Sequence, residues 1–255
     1  VPVCAITGNN SICVGQSTSF TATGGTSYSW TGPGGFTAAT ATINNLTVAG
    51  TYTVTVTNAA GCTSTCTRVL TVNALPVCAI TGDNDICVGQ STSFTATGGT
   101  SYSWSGPGGF TAATATINNV TTAGVYTVTV TNANGCTSTC SVTLTVNALP
   151  VCAITGNNSI CVGQSTSFTA TGGTSYSWTG PGGFTAATAT INNLTVAGTY
   201  TVTVTNAAGC TSTCTRVLTV NALPVCAITG DNDICVGQST SFTATGGTSY
   251  SWSGP

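Results

Sequence analysis

The side chains of this chain most able to do covalent chemistry are its cysteines, which recur at a fixed spacing. Cys4, Cys13, Cys62 and Cys66 return as Cys78, Cys87, Cys136 and Cys140, then as Cys152, Cys161, Cys210 and Cys214. Cys226 and Cys235 begin a fourth set. An even number of cysteines at constant spacing, with no histidine beside them, reads as a disulfide framework. A four-cysteine zinc site is the competing chemistry. Paired zinc ligands are separated by about two to four residues, which Cys62-x3-Cys66 satisfies and Cys4-x8-Cys13 does not. We therefore expect disulfides, with no metal and no cofactor.

The other chemistry-bearing residues are few. Among 255 residues the only cations are Arg68 and Arg216, and the only acids are Asp83, Asp85, Asp231 and Asp233. Charged residues make up 2% of the chain, against about 25% in a typical soluble domain. Lys, Glu, His and Met are absent. That removes lysine Schiff bases, histidine metal sites and Ser–His or Cys–His nucleophile pairs. No catalytic residue is assigned, and the chain reads as a non-enzyme. The basic patch required for nucleic-acid binding is missing too. Asp83-Asn84-Asp85 has the look of a calcium loop, but calcium takes about six to eight oxygens and no further carboxylate lies nearby in sequence, so a turn is expected. No run of about 18 apolar residues is present, so no membrane insertion is expected of this segment. Its positive mean hydropathy, +0.35, reflects missing charge.

The cysteine spacing is one expression of a repeat of 74 residues, since Pro-Val-Cys-Ala-Ile-Thr-Gly begins at Pro2, Pro76, Pro150 and Pro224. The units are 1–74, 75–148, 149–222 and a partial 223–255. Residues 2–74 and 150–222 are identical, as are 75–107 and 223–255, so the true period is an odd–even pair. Near-identity of this kind suits a long array, and the sequence reads as a window on a longer chain.

Within a unit, apolar residues alternate with Thr and Ser, the period of a half-buried strand. Phe20 and Ala22, Tyr28 and Trp30, then Tyr52, Val54 and Val56 fall on single faces. Gly32-Pro33-Gly34-Gly35 and Asn58-Ala59-Ala60-Gly61 are turns. About seven short strands in 74 residues, with no helical stripe, predict an all-β fold. The expected architecture is a tandem array of small antiparallel immunoglobulin-like β-sandwiches, disulfide-stapled. Gly50-x-Tyr52 matches a tyrosine corner and Trp30 a core tryptophan. A parallel β-solenoid would want a period of about 20–30 residues and is rejected.

Three runs carry a resemblance. Ile12-Cys13-Val14-Gly15-Gln16-Ser17, Ser27-Tyr28-Ser29-Trp30 and the stretch Gly50–Cys62 resemble the immunoglobulin-like and PKD-like repeats of large surface adhesins exported by the type IX secretion route of gliding bacteria. The uniformity and low charge are most similar to filament-forming members such as grappling-hook proteins. The resemblance covers every unit and implies adhesion and architecture at the cell surface, with no catalytic residues. In an immunoglobulin-like arrangement, the first strand descends beside the last, which favours Cys4–Cys62 with Cys13–Cys66. Two-cysteine members of the family imply the other pairing, Cys13–Cys62 with Cys4–Cys66.

The same reading yields three expectations about assembly and charge. Strands almost free of charge lack the usual deterrent to edge pairing, so the chain is expected to associate with itself into a multi-chain filament, secreted and extracellular, with cell-surface glycans or other cells as further partners. The partial unit is too short to close its own core. At the odd-to-even junction, Arg68 is expected to pair with Asp83 and Asp85, and Arg216 with Asp231 and Asp233, within or between chains. Two other function classes compete: a carbohydrate- or ice-binding module presenting regular Thr arrays such as Thr37–Thr42, and a non-catalytic spacer of a modular secreted enzyme.

Overall fold

Alternation of Thr and Ser with apolar residues becomes eight short strands in the first repeat of the computed structural model, which describes residues 1–255. They are β1 (Ala5–Thr7), β2 (Ser11–Cys13), β3 (Thr18–Thr23), β4 (Ser27–Thr31), β5 (Thr37–Ala38), β6 (Thr42–Leu46), β7 (Gly50–Thr57) and β8 (Thr63–Asn73). A three-stranded antiparallel sheet, in the order β1-β3-β6, faces a five-stranded sheet, β2-β8-β7-β4-β5. Between them lies the core: Phe20 and Ala22 from β3, Ile43 and Leu46 from β6, Trp30 from β4, Tyr52, Val54 and Val56 from β7, with Leu70 and Ile12 closing the edge. The next two repeats form the same sheets around equivalent cores. The fold is an all-β series of immunoglobulin-like sandwiches, as the alternation anticipates. The count is eight strands because the two-residue β5 pairs with Trp30 and Thr31.

The core aromatics are fixed by hydrogen bonds as well as by burial. Trp30 is 1% exposed, and its indole Nε1 donates to the Thr40 carbonyl at 2.9 Å. The Tyr52 hydroxyl donates to the Val48 carbonyl at 3.1 Å, which is the tyrosine corner expected of Gly50-x-Tyr52. Tyr126 and Tyr200 repeat it on Thr122 and Val196. Burial pushes the phenols of Tyr52, Tyr126 and Tyr200 above the ordinary tyrosine value, because the phenolate would lose its hydration.

Two local irregularities shape the sandwich. Ile43 and Leu46 both point inward although three positions apart, because Asn45 takes a left-handed conformation (φ 58°) and bulges β6. Asn tolerates that region better than other non-glycine residues. Gly8 (φ +126°) breaks the first strand in two. A Cβ there would run into the Ser19 carbonyl and the Phe20 ring, so glycine lets the chain cross from one sheet to the other. β1 therefore pairs with β3, and β2 runs parallel to the far end of β8.

The chain divides into two compact units, Val1–Val146 and Asn147–Pro255. The first holds two sandwiches. The second holds one sandwich, followed by residues 223–255, in which only Ala227–Thr229 and Thr243–Thr245 pair. There Phe242 is 49% and Trp252 54% exposed, whereas their counterparts Phe20 and Trp30 are buried.

Candidate functional site

Each complete repeat is stapled between its sheets by a disulfide joining the start of the repeat to the middle of its last strand. Cys4–Cys66, Cys78–Cys140 and Cys152–Cys214 have Cα separations of 5.7–5.8 Å, within the ordinary disulfide range. Cys66 lies on β8 opposite Val54, so the bond sits at the edge of the core. The bond closes 62 positions of each 74-residue repeat.

The second disulfide leaves the repeat. Cys13 bonds Cys136 of the following repeat, 123 positions away, at a Cα separation of 5.6 Å. Cys4–Cys66 is the bond that the second expected pairing contained, whereas Cys4–Cys62 of the favoured pairing is not formed, and Cys13 joins neither Cys66 nor Cys62, which corrects both pairings at Cys13. The physical reason is the crossing at Gly8. Because β2 is parallel to β8, Cys13 is level with Asn73 at the end of the strand, while Cys66 lies seven residues back. At about 3.3 Å per residue that is roughly 23 Å, far beyond disulfide reach. Cys62 precedes the opposite end of β8. Of the remaining cysteines, Cys87 and Cys210 are also disulfide-bonded, and Cys62, Cys161, Cys226 and Cys235 carry free thiols.

Both halves of the Cys13–Cys136 junction are held by asparagines. On the first side, Asn73 Nδ2 donates to Ser11 Oγ (2.9 Å) and the Ile12 carbonyl (3.1 Å). The Cys13 amide donates to Gln16 Oε1 at 3.0 Å. On the second side, Asn132 Oδ1 accepts from the amides of Asn134 and Cys136, both at 3.0 Å. Its Nδ2 donates to the Ala74 carbonyl, again at 3.0 Å, so the hairpin of one repeat grips the linker that precedes it. Cys136 is 1% exposed and Pro76 in the linker is buried. The first two repeats are therefore tied twice, by the linker and by sulfur. Asn73, Asn132 and Gln16 went unnoticed in the sequence; their signal was the unvarying Val-Asn-Ala before each proline and the Asn that opens each Cys-bearing hairpin.

The charged residues do not meet at the junction as expected. Arg68 Nη1 and Nη2 donate to the carbonyls of Ile6 (3.2 Å) and Gly8 (2.5 Å), and the guanidinium stands 5.6 Å from the centroid of Phe20. Its Nε is buried without a partner. Arg216 repeats these contacts on Ile154, Gly156 and Phe168. Each arginine thus closes the edge of its own repeat with both Nη groups donating to carbonyls there; pairing with the aspartates between chains stays a proposal. Asp83 Oδ1 accepts from the Asp85 amide at 3.1 Å, as Asn9 Oδ1 does from Ser11. Asp231 does the same for Asp233. These aspartates form turns, as expected of Asp83-Asn84-Asp85.

The outer face of the five-stranded sheet is a ladder of small hydroxyls. Ser27, Thr57 and Thr63 lie in one row, Ser29, Thr55 and Thr65 in the next, and Thr31, Thr53 and Thr67 in a third. Adjacent strands are about 4.8 Å apart and alternate residues about 6.7 Å apart, so the face is a regular lattice without charge. The hollows on the complete repeats are open and polar. One is lined by Asn9, Ser17, Thr18, Ser19, Asn44 and Asn45, and it recurs around Asn157, Thr166 and Asn193. Neither has the enclosed apolar lining of a small-molecule site. No helix is long and apolar enough to cross a membrane.

No family model matches the chain and no curated protein resembles it in sequence. Solved structures do. A calcium-stabilised adhesin with which an Antarctic bacterium binds ice is 20% identical over 91% of this chain and 78% of that one, with a TM-score of 0.38. A structure concerning host cell-surface retention of a 1.5-MDa bacterial ice-binding adhesin is 17% identical over 87% of this chain and 99% of that one, with a TM-score of 0.40. The four N-terminal immunoglobulin domains of Dscam1 give 14% identity, 83% and 71% coverage, and a TM-score of 0.26. At these identities and scores the likeness says nothing of function.

Proposed function

We propose that this chain is a structural repeat segment of an extracellular filament or adhesin, which associates with itself and bears tension between a cell and the surface, prey or partner cell it grips. The observation that carries the reading is the double tie between repeats: a protein that only had to display sandwiches would not need Cys13–Cys136 beside a peptide linker. Disulfides fit a secreted, cell-surface location. Export by the type IX route of gliding bacteria, with a grappling-hook filament as the assembled form, accords with the runs Ile12–Ser17 and Gly50–Cys62. The charge-free hydroxyl face supports lateral packing, since nothing on it repels a second copy. Cell-surface glycans are the expected target class. Sedimentation and negative-stain microscopy of the oxidised protein test the reading; filaments many chains long support it, and a monomer at high concentration refutes it.

The same hydroxyl face favours a second reading, a module that orders water or binds ice. Thermal hysteresis in the oxidised protein would support that reading, and its absence together with filaments would leave the structural one.

A further inference from the structure

One row of the outer sheet face distinguishes odd repeats from even ones. Thr51 on β7 lies directly opposite Val69 on β8, and both are exposed. In the second repeat the pair is reversed: Val125 lies on the strand Gly124–Thr131, with Thr143 opposite it on Thr137–Asn147. The third repeat returns to the first order, Thr199 opposite Val217. Val69 and Val125 are each 54% exposed. Valine and threonine share a β-branched outline and differ by a methyl against a hydroxyl. The reversal therefore keeps the contour of the face and moves the hydroxyl across the ladder. The turn before β7 carries the same exchange, with Val48 in the first repeat and Thr122 in the second.

Nothing within a repeat uses the reversal, because the local pair is one valine beside one threonine either way. A second sheet laid on this one does use it. With two such faces together and equivalent strands running the same way, β8 of one lies on β7 of the other, row on row. Odd on odd then sets Val69 against Thr51 twice, and each valine buries a hydroxyl. Odd on even sets Val69 against Val125 and Thr51 against Thr143, so apolar meets apolar and hydroxyl meets hydroxyl. The adjoining row agrees. Thr31, Thr53 and Thr67 stand where the even repeat has Ser105, Thr127 and Ser141, so the face fuller by two methyls meets the trimmed one. The area is sufficient as well. Three strands about 4.8 Å apart, along the eight residues of β7 at about 3.3 Å each, give about 380 Å² a face. Two facing pairs of repeats bury about 1,500 Å², close to the roughly 1,600 Å² of a stable protein interface.

We propose that the outer face of the five-stranded sheet is a docking surface for a second copy of this chain, odd repeat against even repeat, with the two chains out of step by one repeat of 74 residues. The inference deepens the filament reading and rests on it. Val69 of one copy seats on Val125 of the other, and Thr51 shares a hydrogen bond with Thr143. The stagger follows from the pairing, since chains in step set every repeat against its own kind. This row thereby carries the register of the assembly, and the odd–even period of the sequence becomes the period of the filament.

The test exchanges the pairs in place in the full chain, which leaves its composition untouched. The odd exchange is Thr51→Val, Val69→Thr, Thr199→Val and Val217→Thr. The even exchange is Val125→Thr and Thr143→Val. Self-association of the oxidised protein, its free thiols blocked with N-ethylmaleimide, is measured by sedimentation equilibrium. Either exchange alone makes every repeat alike in this row, and should weaken association at least about tenfold, the factor for burying a hydroxyl without a partner. Both exchanges together restore the complementarity and should return association to the parent's strength, a recovery that damage to the fold does not allow. Mixing the two singly exchanged chains should restore it as well, since one is then even-like throughout and the other odd-like. Association unmoved by either exchange, or lost and not recovered in the doubly exchanged chain and the mixture, overturns this inference and spares the filament reading. A parent chain that stays monomeric at every concentration defeats both.

Discussion

Cys13 and Cys136 join the end of β2 in one repeat to the hairpin that opens the last strand of the next, with Cα atoms 5.6 Å apart. The bond crosses the same boundary as the linker around Pro76, so tension has two covalent routes from the first repeat to the second. Each repeat is closed in turn by its own Cys4–Cys66 type bond, which keeps the sandwich from unravelling under load.

That closure predicts the response to force. If the chain is pulled from its ends with disulfides intact, the Cys13–Cys136 bond bypasses residues 14–135, the linker included, so unfolding the first two repeats should release almost no extension. In reductant each repeat should release about 250 Å. Single-molecule pulling in the two buffers separates these step sizes, and long steps from the oxidised protein would show that the staples carry no load.

Replacing Cys4 and Cys66 with alanine should destabilise that repeat by about 2–4 kcal/mol, chiefly through the greater freedom of the unfolded chain. Replacing Cys13 and Cys136 should move the denaturant midpoint less. With Cys4–Cys66 and Cys78–Cys140 intact, the unfolded chain is already cross-linked close to both ends of that bond, which shortens the loop it closes. Paired urea titrations of the two variants would check the order.

Tyr52→Phe removes the hydroxyl that satisfies the Val48 carbonyl while leaving the ring between Phe20 and Phe36. A loss of about 1–2 kcal/mol in urea unfolding is expected. The same phenols govern alkaline stability. Their ionisation is raised in the folded state relative to the unfolded value near 10, so their contribution is complete below pH 10 and is lost as pH climbs through the raised folded values. With no Lys, His or Glu in the chain, stability should be nearly flat from about pH 5 to 9. A marked change within that window, in protein whose free thiols are blocked, would contradict this.

Arg68→Val should be nearly neutral, within about 1 kcal/mol, since Val142 occupies the equivalent place. The substitution loses two hydrogen bonds and the Phe20 contact, but it also removes a buried Nε without a partner. Combining it with Asp83→Asn should show no coupling in a double-mutant cycle.

Much of the sandwich was legible in the sequence because Phe20, Trp30, Tyr52 and Val54 alternate with hydroxyls on a strict period of two, and burial enforces that period. The full cysteine pairing was not, for Cys4–Cys66 stood among the alternatives but the partner of Cys13 did not. It depends on which sheet the residues after Gly8 join, a choice made by one glycine's backbone and by Asn73 at the far end of β8. Counting cysteines within one period also presumes that bonds close within it, and Cys13–Cys136 does not. Arg68 was misplaced for a related reason: its position in β8 was readable, but the open edge beside Ile6 and Gly8 that receives its guanidinium exists only once β1 and β2 part.

The most direct test of the double tie is to cut the linker. A site-specific protease sequence inserted after Leu75 allows cleavage between the first two repeats, followed by denaturing electrophoresis without reductant. The cleaved chain should run as one covalent species, split into two fragments on reduction, and split without reduction when Cys13 is replaced by serine. Two separate fragments from the oxidised parent would contradict the account.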